Sequence, residues 1–216
     1  MTKPWANGPY TLLATPSEDL AKKVGKNALS LYLQTTNDTQ YSKEAIWVAT
    51  DMSLAHNILL LNLNSIYLQC EQVVEPADIA DFLIYCQCSI EEIHTHHDLE
   101  ELHLFPEIVA YSGEKDIMTI NLEQHHAFEA SLTTLEKYLT ETTPQTYVGT
   151  ELKKLVEVFA DELVPHLTDE IVTLLELDKF GGEKLGKLWT EFNEKILPSI
   201  KDKVRLLLTF STSFNL

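Results

Sequence analysis

The chain has 216 residues, a mass of 24.6 kDa and a formal net charge of −17 at pH 7. That length predicts one sizeable domain with a real core, and that acidity disfavours nucleic acid and anionic membrane surfaces as partners. Cys70, Cys86 and Cys88 cannot all pair within the chain, no apolar h-region follows the first residues, and no run reaches the roughly 18 apolar residues of a membrane span; the expectation is a soluble protein in the reducing cytoplasm.

In chain order, Pro4, Gly8, Pro9 and Pro16 mark residues 1–17 as an irregular arm. Ser17 with Glu18 and Asp19 starts a short helix to about Leu33, which Thr35–Gln40 break. Residues 1–41 thus form an N-terminal arm and short helix. A long helix is predicted from about Ser42 to Gln69, with Ile46, Trp47, Leu54, Ile58 and Leu61 on its apolar pattern and His56 near its middle. Asn57, Asn62 and Asn64 are poor helix formers, and beside a candidate ligand they read as polar support for it. Pro76 suits the first turn of the next helix, with Asp78 adding favourable negative charge. That helix runs on through Phe82, Leu83, Ile90, His97 and Glu101 until Pro106 bends or ends it and Ser112–Gly113 closes the segment. A third helix spans about Glu114 to Thr140 with Met118, Leu122, His125, Phe128, Leu132 and Leu135, and a loop around Pro144 follows. The fourth runs from about Tyr147 to Asp178, where Pro165 is expected to kink the helix just before His166. Gly181, Gly182 and Gly186 break the pattern. The tail reads as one or two short helices split by Pro198, with Leu206–Phe210 packing on the bundle or on a second subunit of a homodimer.

The chemistry concentrates in residues 91–107, EEIHTHHDLEELHLFPE, which hold four histidines and six acidic side chains. Ile93, Leu99, Leu102 and Leu104 still supply an apolar stripe. His97 and Glu101 lie four apart and stack on one helical face. The same spacing returns in His166 and Glu170, and His56 and either His125 or His126 sit on separate helices. The intervals between positions 56, 97, 125 and 166 are 41, 28 and 41 residues, each enough to descend one helix and climb the next to a similar level. A four-helix bundle places metal ligands in its core in this way. Buried imidazoles and carboxylates are costly unless coordinated, and this donor set suits iron, manganese or zinc better than calcium or magnesium. His94, His96 and His103 read as lying off the ligand face, and Glu100 as part of a solvated face. HExxH is absent, and so are nucleotide loops and internal repeats.

The segments LAHNILLLNLNSIYLQ, DFLIYCQCSIEEIHTHHDLEELHLFPEI, NLEQHHAFEASL and HLTDE occur in order and resemble the hemerythrin-like, or HHE cation-binding, superfamily, its fungal branch in particular. The resemblance covers about residues 45–175. It implies an all-α, up-and-down four-helix bundle over 42–178, with residues 179–216 as a C-terminal helical extension packed on it. It further implies a non-haem di-iron centre, with manganese or a mixed iron–manganese pair as the alternative loading. By that analogy His56 and His97 bind one iron, His125 (chosen over His126 by the QHxxF match) and His166 bind the other, and Glu101 and Glu170 bridge them. Oxygen carriers of this kind have a second histidine one turn before the position of His125, where this chain has Asn121. Glu129 one turn later, or Asp98 beside His97, is then the candidate replacement ligand, the alternative being a more open position on that iron.

Three functional readings follow. The leading one is a protein that binds or senses dioxygen, nitric oxide or iron. The other is a dioxygen-dependent di-metal oxidase or oxygenase acting on a small organic substrate, favoured by the carboxylate-leaning ligand set and the long C-terminal extension. A structural module merely stapled by metal is the third and blandest reading.

Overall fold

A computed structural model of the chain describes residues 8–16 and 41–213, with side chains in the C-terminal helix as far as residue 198. The expected short helix from Ser17 to Leu33 and the packing of Leu206–Phe210 lie outside the described residues and side chains. The described residues form helices and no strand. The bundle helices are α1 (Lys43–Gln69), α2 (Pro76–Leu99), α3 (Phe105–Ser112), α4 (Thr119–Glu141) and α5 (Gly149–Glu176), followed by α6 (Gly182–Ser213). A π-helical turn, Glu100–Leu104, joins α2 to α3 without a break.

Caps and ties set the helix ends. The Ser42 side chain accepts a hydrogen bond from the Ala45 N–H, satisfying one free donor at the start of α1. Ser42 in turn donates through its backbone N–H and its hydroxyl to the Asp178 carboxylate, at 2.7 and 2.6 Å. The start of α1 is thereby tied to the chain just beyond α5. At the opposite end the Tyr147 hydroxyl donates to the Cys70 carbonyl, and Gly149 packs so closely that an added Cβ would lie 2.0 Å from that same oxygen. These two ties hold α1 and α5 antiparallel along their whole length.

Two apolar clusters fill the bundle. One joins Leu59, Leu60 and Leu63 of α1 to Phe82 and Ile90 of α2, Phe128 and Leu132 of α4 and Phe159 and Leu163 of α5. The other joins Val48 and Met52 to Leu104, Met118, Leu174, Trp189 and Phe192. Between them, at matching heights on four helices, lies a layer of buried histidines and glutamates. By length and composition α1 is apolar enough to cross a membrane, but its inward side is divided between the two cores and this polar layer.

Several elements differ from expectation for local physical reasons. Asn57 and Asn64 strap down the N-terminal arm: each side-chain amide pairs with both backbone groups of one arm residue, Leu13 and Tyr10 respectively, at 2.7–3.0 Å. Pro165 lies inside an uninterrupted α5. The tail is one helix that runs through Gly186 and Pro198. At Gly186 a Cβ would meet Glu44 Cγ at 3.0 Å, so the missing side chain lets α6 settle against α1.

Candidate metal centre

Seven side chains converge in the polar layer, in two groups that share one carboxylate. His56, His96, Glu100 and Glu170 form the first, and His97, Glu100, His125 and His166 the second; within each, one donor atom per residue lies within 4.8 Å of the others. Donors about 2 Å from a common ion fall within such a spread. Six of the seven are buried, and Glu100 and Glu170 are almost wholly withdrawn from solvent.

Hydrogen bonds fix which imidazole nitrogen faces the layer. His56 donates from Nδ1 to the Leu167 carbonyl at 2.8 Å, which leaves Nε2 bare and 3.2 Å from Glu170 Oε2. His125 donates from Nδ1 to Glu101 Oε1 at 2.7 Å. His166 donates from Nδ1 to Gln124 Oε1 at 3.4 Å, and Gln124 is itself oriented by donating to Asp169. The Nε2 atoms of His125 and His166 then face each other 3.1 Å apart with no proton left for either. Two bare nitrogen lone pairs at that distance repel unless a cation lies between the groups that carry them.

The remaining polar atoms say the same. His56 Nε2, both ring nitrogens of His97, and all four carboxylate oxygens of Glu100 and Glu170 are buried without a hydrogen-bond partner. Each such atom costs on the order of 1–3 kcal/mol when left unpaired. Burial lowers the pKa of His96, His97, His125 and His166, the last to about 3, so these imidazoles stay neutral at physiological pH. Burial pushes Glu100 well above the usual carboxylate range, and the nearby Glu170 pushes it further. Neutral imidazoles with inward lone pairs and two carboxylates are a donor set for divalent transition metals. The residues present fit a pair of such ions.

The structure brings together His56, His97, His125, His166 and Glu170 as expected, and leaves His126 exposed. It also places His96 and Glu100 in the layer, where the sequence reading put them off the ligand face. Glu101 takes a different place from the bridging one expected. It lies outside both groups, partly exposed, and holds His125 from behind. Asp98 and Glu129 are exposed and belong to neither group. The reason is register. HHDLEE contains two overlapping pairs at spacing four, His96–Glu100 and His97–Glu101, and both can stack on a helix. The wide π turn opens at Glu100, so this side chain turns inward toward both His96 and His97 while Glu101 rotates to the rim. The signal was present as the first HxxxE pair, which has the same spacing as His166–Glu170. Asn121, one turn before His125, is buried with neither amide atom partnered.

Beside the first group a cleft of about 720 Å3 opens between α1, α2 and α6, and His96 and Glu100 line it. Met52, Leu59, Leu99, Phe192 and Ile196 contribute to its apolar wall. The C-terminal helix therefore forms one side of a chamber that reaches two of the candidate ligands.

Residues 50–177 match the model of a family described as the hemerythrin HHE cation binding domain. A similar protein is the dimeric xanthone biosynthesis cluster protein R11 of Cryptosporiopsis sp. (strain 8999), 36% identical over 195 residues that make up 90% of this chain and 68% of that protein. No solved structure matches the chain.

Proposed function

The chain belongs to the hemerythrin HHE cation-binding family, and from that premise we propose that it is a dioxygen-dependent di-metal oxidase or oxygenase acting on a small organic substrate. One observation carries the reading: the cleft beside the candidate metal centre has His96 and Glu100 in its wall. A carrier of dioxygen needs no chamber of substrate size next to its metals, whereas an enzyme acting on an organic molecule does. The relative named for a dimeric xanthone biosynthesis cluster supports the same direction.

In this proposal His56, His96 and Glu170 hold one ion, His97, His125 and His166 hold the other, and Glu100 is shared. Iron is the proposed metal, with manganese or a mixed pair accommodated by the same donors. A bound pair of irons supplies the electrons and Lewis acidity needed to reduce dioxygen. The protein's own contribution is positional. The Leu167 carbonyl, Glu101 and Gln124 orient three of the imidazoles, and such supports sharpen both ligand direction and basicity. Glu101 also reaches from His125 to the surface, a path for protons that bypasses the cleft. The apolar wall lines the face where substrate would meet the centre. The free thiols of Cys70, Cys86 and Cys88 support a cytoplasmic setting, and a homodimer is proposed from the apolar tail.

The test is metal content on anaerobically purified protein, followed by absorption spectra as dioxygen is admitted. Two irons per chain, with a band that decays irreversibly as dioxygen is consumed, is the expected result. A band that reverses when dioxygen is withdrawn supports instead a protein that binds or senses dioxygen or nitric oxide. One zinc or no metal overturns both.

A further inference from the structure

The chemistry of the cleft walls goes further than the word substrate. Among the described residues that line it there is no lysine or arginine, while Asp51, Glu91, Glu92 and Glu100 are acidic. Asp51 is engaged by the Trp189 indole N–H at 3.0 Å. Asn62 is saturated on its outer side: it donates to Glu92 Oε2 at 2.8 Å and accepts from the Tyr85 hydroxyl at 3.2 Å. The acidic groups of the wall run from Glu92 at the exposed mouth to the buried Glu100 at the inner end, where His96 Nε2 lies 3.0 Å from its carboxylate. Between them the wall is apolar and carries aromatic rings from Phe192, Trp189 and Tyr85.

We propose that this cleft binds a neutral, hydroxyl-bearing aromatic compound, its rings against Phe192 and Leu59 and a hydroxyl donating to Glu92. The inference deepens the oxygenase reading and rests on it for the term substrate; binding itself rests on the cleft alone. At the mouth, away from the metal layer, an anionic ligand would meet Asp51, Glu91 and Glu92 with no lysine or arginine among the described lining residues to offset its charge, and like charges a few ångströms apart repel. Aliphatic chains fit the volume but forgo the edge and face contacts that aromatic walls provide. A cleft of about 720 Å3 lies within the range of pockets that hold drug-sized molecules, about 300–1,000 Å3.

The experiment is calorimetric titration of the full chain, metal-free and iron-loaded, with 2-naphthol and with 2-naphthoate. Metal-free wild-type protein is expected to bind 2-naphthol about tenfold more tightly than 2-naphthoate, the factor that one uncompensated like-charge contact supplies. Glu92→Lys, a charge reversal at an exposed position, is expected to invert the preference with metal content unchanged. Asn193→Trp on α6 is expected to abolish both by filling the cleft. Binding of neither probe by wild type, equal or tighter binding of 2-naphthoate, or unaltered binding in Asn193→Trp overturns the inference. Should a variant fail to fold, the wild-type comparison still decides. Selective 2-naphthol binding without dioxygen consumption by the iron-loaded chain keeps this inference and sinks the oxygenase reading. Dioxygen consumption without 2-naphthol binding does the reverse.

Discussion

Glu100 brings two oxygens into a layer that already holds five imidazoles and Glu170, and it belongs to both groups of candidate ligands. Glu101, its neighbour, touches the layer only through His125 Nδ1. The two positions should therefore behave differently. Glu100→Ala is expected to lose both ions, because each group is left with three donors and Glu170 must balance the charge alone. Glu101→Ala is expected to keep the ions but to weaken binding roughly 10–100-fold, the usual cost of removing a partner behind a ligating histidine. Metal analysis after dialysis against a graded chelator checks both, and equal loss in the two variants would return the shared role to Glu101. At this scale the spacing pointed to His56, His166 and Glu170, which the fold brings into one layer, but it left His125 and the adjacent His126 open until the family match chose between them. It was ambiguous at HHDLEE, where spacing four is satisfied twice and only the backbone turn decides.

At the scale of the element, that turn is the π-helical stretch at Glu100–Leu104. Its hydrogen bond from the Phe105 N–H to the Glu100 carbonyl spans five residues, and nothing in the composition of EELHL distinguishes it from α-helix. Helix existence was readable from apolar periodicity, and most ends from Ser42, Pro76 and Gly113. The unbroken α6 was not, because Gly182 and Gly186 look like breakers until their neighbours are known. Both are sites of close approach: a Cβ on Gly182 would lie 2.0 Å from Ser42 Oγ. Gly149 is the harder case, since the obstructing atom is the Cys70 backbone oxygen and cannot swing away. Gly149→Ala is expected to destabilise the protein by about 1–3 kcal/mol, the range for overpacking a filled site, despite alanine's better helix propensity. Chemical denaturation with an unchanged m-value checks this. A neutral or stabilising result would mean that the Cys70 and Gly149 backbones can move apart at no cost.

For the molecule as a whole, the polar layer separates two apolar cores, so its protonation governs how well the halves cohere when no metal is bound. In the unfolded chain histidine titrates near its ordinary value of about 6.5. In the folded chain burial depresses His96, His97, His125 and His166, the last to about 3. A depressed folded pKa means that the unfolded state takes up protons first as pH falls. Stability from these groups is therefore full above about pH 6.5 and is lost progressively on acidification toward pH 3, at up to about 1.4 kcal/mol per pH unit for each. Glu100 works in the opposite sense. Its raised folded pKa favours the folded state as pH falls toward the ordinary carboxylate value, which offsets about one histidine and leaves the others. Metal-free protein is thus expected to lose its thermal midpoint steeply between pH 6.5 and 4.5. Metal-loaded protein should start higher, because binding to the folded state alone adds stability. It should then fall along with metal release as protons compete for the imidazoles. Thermal melts of both forms across that range, with metal release followed in parallel, check the sign. A metal-free form equally stable at both ends would mean that the imidazoles of the layer are reached by solvent.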